Sequence, residues 1–303
     1  MNGRAPVTGP QEVMPQTTQE AWSYEGFWRA SWRSLGRHPS GMVGLLGLSV
    51  LVLAVLMAPL LARNDPTEMD FDHLLSPPSG GYIFGTDDLG RDVYSRVLWG
   101  GRESLRVSLM AVLIAALGGT VVGMISGYLG GWVDGVIMRL VDMLLAFPAI
   151  LLVLSIVAAL GPSLTTVLIA LGVSSIPGFS RFVRGLVLPV KNLEYVAAAR
   201  STGASRARIM VFHILPNILG PIIVLSTLGL GQAIILTAGL SYIGLGAQPP
   251  SPEWGAMLNH GRNYLAEAWW MSVFPGAAIA LAVLFINLLG DGLRDALDPK
   301  LRI

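Results

Sequence analysis

Residues 194–216 read EYVAAARSTGASRARIMVFHILP, a basic, helix-prone segment set between two long apolar runs. Leu, Glu, Ala and Arg favour helix through residues 191–200. Gly203 then permits a turn that other residues resist. Residues 206–213 resume helix, and Pro216 opens the next apolar run, where a missing amide hydrogen costs little. The segment therefore reads as a helix–turn–helix elbow, which a chain that only crossed a bilayer would not need. From the residues alone two readings stand nearly even. One is a docking handle for another protein, built on Arg200, Arg206 and Arg208 around the Gly203 break. The other is a solvated connector whose arginines set topology.

The chain around the elbow is 303 residues long, 53% hydrophobic and 13% charged, about half the charged fraction of soluble domains. It has no cysteine, so no disulfide framework and no thiolate chemistry. A net charge of +1 argues against a nucleic-acid partner. Apolar runs cover residues 42–62, 107–129, 140–160, 162–180, 214–247 and 269–290. A spanning segment in lipid must satisfy its own backbone, which makes each run an α-helix. None alternates as barrel strands do. The expected fold class is an all-α membrane protein with six transmembrane helices. The first 40 residues show no short apolar core followed by a small-residue cleavage site, so the first run is expected to stay as an anchor. Residues 1–21 read as a polar tail. Residues 22–40 read as an amphipathic interfacial helix, with Trp28, Trp32 and Leu35 on one face and Arg29, Arg33 and Arg37 away from it. Residues 41–303 form the six-helix domain, with the elbow in a loop at about 181–213.

Six spans put both termini on one side, together with the elbow. That side collects fourteen Lys and Arg. The other collects six: Arg63, Arg91, Arg96, Arg102, Arg106 and Arg262. Positive residues favour the cytosolic face, so the termini and the elbow are expected there, against some dissent from the long outer loop 63–103.

Smaller features carry further expectations. Gly119, Gly123, Gly127 and Gly131 share a helical face and suit close helix packing. Pro148 and Pro177 are positioned to kink their spans. Asp142 stands three residues after Arg139, a spacing for a local ion pair. Ser226, Gln232 and Thr237 in the fifth span either line a pathway or bond across packed helices. Thr86 or Asp87 is placed to cap a helix, and Asp92 and Arg96 stand at an ion-pair spacing. The carboxylates of 84–92 miss the calcium-loop pattern, and 248–252 favours stiff extended backbone. The only lysines, Lys191 and Lys300, follow no glycine, so no phosphate loop for ATP exists. His38, His73, His213 and His260 are scattered, and no G-x-S-x-G occurs. No enzymatic site is expected. An ion-driven transporter would show coupling-ion sites and inverted repeats, and neither is visible.

The pattern Ala198-Ala199-Arg200-x-x-Gly203-Ala204-Ser205, then Leu215-Pro216, resembles the "EAA" coupling loop of bacterial ABC importer permeases. In that family the loop's short helix inserts into a groove on the ATPase subunit. The family's glutamate position is Ala197 here, and Glu194 lies one helical turn earlier. His213 before Leu215-Pro216 is similar to the dipeptide, oligopeptide and nickel branch. So are Phe84-Gly85-Thr86-Asp87-Asp88-Leu89-Gly90-Arg91-Asp92, the stretch 241–250 with Glu253-Trp254-Gly255, and the stretch 289–299. The resemblance runs from about Trp28 to Leu301.

It implies a type I importer fold and a non-catalytic permease subunit in the inner membrane. It also implies a homologous second permease, two ATPase subunits that bind ATP and Mg, and an extracytoplasmic solute-binding protein. This chain itself would hold no cofactor. The solute would be a di- or oligopeptide, with glutathione or a nickel chelate as alternatives. ATPase contact would fall on Glu194, Ala197, Ala198, Ala199, Arg200, Gly203, Ala204, Arg206 and Arg208. Ser226, Gln232, Thr237, Tyr242, Gln248 and Trp254 are the candidates for a pathway or outer gate.

Overall fold

The computed structural model describes residue 36 and residues 38–297. The expected tail at 1–21 and nearly all of the expected interfacial helix lie outside those residues. The described chain is helical, with one isolated bridge between Thr86 and Asp92. Helix α1 (Pro39–Leu56) is followed by a short α2 (Ala58–Leu61), then α3 (Val93–Leu129), α4 (Gly131–Leu145), α5 (Ala149–Leu160) and α6 (Leu164–Val190). The elbow holds α7 (Glu194–Ser201) and α8 (Arg206–Ile209). A π turn (Met210–Ile214) leads into α9 (Leu215–Tyr242), and α10 (Trp254–Gly261) and α11 (Trp270–Leu297) follow among the described residues.

Among the described residues five helices are long and apolar enough to cross a membrane, and α4 with α5, taken together as one bent span, would make a sixth. The expected third span, 140–160, is thus corrected. Its two halves meet at 84° around residues 146–148, where Pro148 lacks an amide hydrogen and disfavours helix in the residue before it. The second span starts at Val93, not residue 107, and its 37 residues extend about 55 Å, well past a hydrocarbon core of about 30 Å. The fourth runs on to Val190 with Pro177 inside it, so residues 181–190 are helix and the elbow loop is shorter than expected. Pro216 does not start the fifth span. Helix is continuous from Arg206 to Tyr242, and the π turn just ahead of Pro216 lies where the ladder loses that donor.

Helix α3 packs along α6 through a glycine stripe. A Cβ at Gly123 would come 2.5 Å from the Ser180 carbonyl oxygen, and one at Gly127 2.9 Å from Val187 Cβ; at Gly119 it would meet Phe179. Gly131 does not belong to this stripe. It has φ +57 as the first residue of α4 and nothing near it, because α3 ends at Leu129. Gly44 in α1 similarly abuts the backbone of Leu288 and Leu289 in α11.

Two ends can be distinguished. At one, the loop 62–92 folds into a cap on α10 and the start of α11. The Trp270 indole donates to the Thr86 carbonyl at 3.0 Å. Asp88 faces His260 at 2.5 Å and accepts from the Tyr264 hydroxyl at 3.2 Å. Phe84 stacks on Phe274, and the buried Trp254 donates to the Val97 carbonyl at 2.8 Å. At the other end, Met124, Tyr128, Val183, Val187, Val196, Ile209, Ile214 and Ile218 form a core under the elbow. Helix α3 runs the whole distance between the two.

Within the cap, the helix-capping residue is Asp92, not Thr86 or Asp87. Its carboxylate accepts from the Tyr94 and Ser95 amides and the Ser95 hydroxyl. Thr86 instead ties the Ser76 amide to the His73 carbonyl. Asp87 is turned inward onto the Arg91 guanidinium at 2.6 Å and the amides of Leu89 and Arg91. Arg96 pairs with Asp87 at 3.6 Å and donates to the Pro66 carbonyl, not to the Asp92 side chain. These carboxylates are occupied by arginines and amides, and among the described residues no three metal-ligating side chains gather.

Candidate functional site

Helix α7 is built to be held on one face and offered on the other. Val196 is fully buried among Val183, Val187, Ile209 and Ile214, and Ala199 packs beside it. Ala197, Ala198, Ser201 and Arg200 are exposed. Glu194 sits in the first turn, where a negative charge complements the helix dipole. The helix ends in a glycine cap: Gly203 N–H donates to the Arg200 carbonyl and Ala204 N–H to the Ala199 carbonyl, both at 3.1 Å. Gly203 has φ +81 and no atom close to where a Cβ would stand, so glycine is needed there for backbone conformation alone. The Ser205 hydroxyl then caps α8 by accepting from the Arg208 amide at 3.3 Å.

Arg200 lies 5.9 Å from the Tyr128 ring at the end of α3, within cation–π range. Arg206 and Arg208 are exposed and make no ion pair among the described residues. Two open clefts flank α7. One of about 520 Å³ lies between Tyr195, Ala198, Thr202, Arg208 and His213. The other, about 500 Å³, lies between Tyr128, Arg200, Ser205 and Arg206. The Tyr195 hydroxyl donates weakly to the His213 carbonyl at 3.4 Å, and partial burial raises its pKa. An exposed turn of small side chains, rimmed by guanidinium groups and anchored from beneath, suits insertion into another protein.

The helix feeding the elbow carries polar ties that sequence reading missed. Arg184 on α6 makes a two-pronged contact with Asp134 on α4, both N···O distances 2.6 Å. Lys191 donates to the Gly127 carbonyl at 2.7 Å. Asp142 pairs with Arg181 of α6 and not with Arg139, as its spacing suggested, because α4 and α6 lie side by side there. The only signal in the sequence was charge inside apolar stretches, with nothing to say which partner each would meet.

The pathway candidates do not converge. Ser226 donates back to the Ile222 carbonyl in its own helix. Thr237 is buried with its hydroxyl unpartnered. Gln232 is exposed, and at about 100° per residue it lies about 120° around α9 from Ser226 and about 140° from Thr237. Gln248 folds onto the Gly244 and Gly246 carbonyls, and the Ser251 amide donates to the Gln248 carbonyl at 3.1 Å, so 248–252 begins with a turn and is not the stiff extended run expected. Tyr242 lies beneath Arg262 at 5.3 Å, and Trp254 is core.

A bundle of long apolar helices with a capped end and an anchored, exposed elbow is the build of a polytopic membrane protein. The chain belongs to the family of binding-protein-dependent transport system inner membrane components, which residues 119–303 match; residues 26–78 match the N-terminal TM domain of oligopeptide transport permease C. It is 42% identical to the di/tripeptide transport system permease protein DppC of Pseudomonas aeruginosa, over 98% of this chain and 97% of that one. It is 46% identical to the dipeptide transport system permease protein DppC of Alkalihalophilus pseudofirmus, over the same shares. It is 48% identical to the glutathione transport system permease protein GsiD of Shigella flexneri, over 91% of each.

Proposed function

We propose that this chain is the permease subunit of an ATP-driven importer for di- or oligopeptides, pairing with a homologous second permease. ATP and Mg are bound by two ATPase subunits docked at the elbow, and a solute-binding protein delivers the solute at the cap. Glutathione is the second reading, favoured by the names of several relatives. The elbow and both termini lie in the cytosol. Charge supports this orientation: each of the six cap-end arginines has a partner. Arg91 and Arg96 bond Asp87 or backbone, and Arg63 bonds the Gly80 carbonyl. Arg106 pairs with Glu103, while Arg102 and Arg262 lie over Trp99 and Tyr242. Arg206 and Arg208 at the elbow stay free to hold it on the positive-inside face.

The observation that carries the coupling role is α7 itself, exposed on Ala197, Ala198 and Arg200 yet pinned by Val196 to α6 and α9. Displacement of α7 passes into both helices, and through their packing into α3. The ATPase must bind the elbow differently in its two nucleotide states for this to drive transport.

The test is the assembled transporter in proteoliposomes carrying Arg200→Glu with Gly203→Pro. Proline lacks the amide hydrogen that Gly203 donates to the Arg200 carbonyl and cannot adopt φ +81. Uptake is expected to collapse while the permease still inserts, with the ATPases either lost on purification or hydrolysing ATP unproductively. Normal ATPase yield and normal uptake by the double variant would refute the elbow. Mass spectrometry of ligands carried by the copurified binding protein reads out the solute, and an absence of peptides or glutathione would refute the substrate class.

A further inference from the structure

Helix α4 has an unusual set of attachments. Of its fifteen residues only Val141 is buried, and apolar side chains such as Trp132, Leu140 and Met143 are exposed. Backbone breaks flank it: Gly130 and Gly131 at φ +66 and +57 on one side, and the 84° bend into α5 on the other. Its specific ties are polar and mostly reach one neighbour. Asp134 accepts both prongs of Arg184 at 2.6 Å and a hydrogen bond from Ser126. Asp142 pairs with Arg181, one turn earlier on α6. Two-pronged guanidinium–carboxylate pairs fix orientation as well as distance. Ten residues after Arg184, the same chain enters α7.

We infer that Asp134–Arg184 and Asp142–Arg181 form an ionic clamp that makes α4 follow α6, so that movement of the elbow reaches the broken third span. The inference rests on the elbow being where the ATPase pushes. With so little apolar burial of its own in this chain, α4 is not carried by core packing, and its flanking breaks let it pivot as a unit. The four charged side chains are positioning residues for the transport step. They bind no solute and no nucleotide.

The chain has no cysteine, which allows a reversible test. Asp142→Cys with Arg181→Cys is placed in a background of Asp134→Asn and Arg184→Gln, and the assembled transporter is reconstituted. Uptake per ATP hydrolysed should fall about five-fold or more, the scale of a real coupling between sites. Bridging the two thiols with a bis-methanethiosulfonate reagent should restore most of it, and reductant should remove the gain. A purely structural role would not return and vanish with the bridge. The exchanged pair, Asp134→Arg with Arg184→Asp, should also recover coupling, which covers failure of the first variant to fold. Unchanged coupling without the bridge, or no gain on bridging, overturns the clamp. Arg200→Glu in the same assay keeps the outcomes apart: if it uncouples while the clamp variants do not, the elbow stands and the clamp falls.

Discussion

Gly123 faces the Ser180 carbonyl at a separation that a methyl group cannot share, whereas Gly185 on α6 faces open space. Gly123→Val should therefore destabilise the folded protein by about 1–3 kcal/mol or more through overpacking, while Gly185→Ala should be neutral or gain up to about 1 kcal/mol from helix propensity. Thermal unfolding of the purified chain checks both, and equal midpoints would show that the stripe is not a packing seam. In the cap, hydrogen bonds from the Tyr82 hydroxyl and His73 hold the Asp70 carboxyl below its ordinary 3.8, and Asp70 pushes the Tyr82 hydroxyl up to about 12. The lowered acid contributes fully above 3.8 and loses its contribution as pH falls through its folded value. The raised phenol contributes fully below 10 and loses its contribution as pH rises toward 12. The contact is thus intact between those limits. An alkaline absorbance titration should show a late-ionising tyrosine that Tyr82→Phe removes. The Gly203 turn and three of the four stripe glycines were legible in the sequence, because a turn and a helical face are both set by local spacing. The Asp134–Arg184 pair was not, since its members lie 50 residues apart and no short-range rule joins them.

At the scale of elements, α3 shows where a hydropathy reading stops. Charges at Arg96, Arg102, Glu103 and Arg106 ended the apolar run and hid fourteen residues of helix. They are helical because Asp92 caps the start and because Val93 and Val97 enter the cap core. Asp92→Ala should cost about 1 kcal/mol, up to about 2, from the lost cap; hydrogen exchange should then show earlier opening of residues 93–97, and unchanged protection would place the start of α3 under other control. Span existence was legible from composition. The α4–α5 break was half legible, since Pro148 pointed to a kink but not to a bend of 84°.

For the whole molecule, the arrangement of ends is the checkable statement. Ser79 in the cap and Ser201 in the elbow are both exposed. In the cysteine-free chain, Ser79→Cys should react with a membrane-impermeant maleimide added outside spheroplasts, and Ser201→Cys only after lysis. The opposite pattern would invert the topology and with it the proposed function. Five of the six spans and the elbow's place between two of them followed from sequence, but the pathway did not. Polar residues in an apolar helix look alike whether they face a pore, a neighbour or their own carbonyls, and Ser226, Gln232 and Thr237 turned out to differ in just this way.

The cap joins residues that are synthesised far apart: Val97 with Trp254, Asp88 with His260, Thr86 with Trp270. Translation delivers the first of each pair long before the second. In the proposed orientation the first exported loop must therefore wait, incomplete, until the last hairpin leaves the ribosome. Nascent chains stalled before residue 254 should leave that loop open to added protease, and release of the full-length chain should close it.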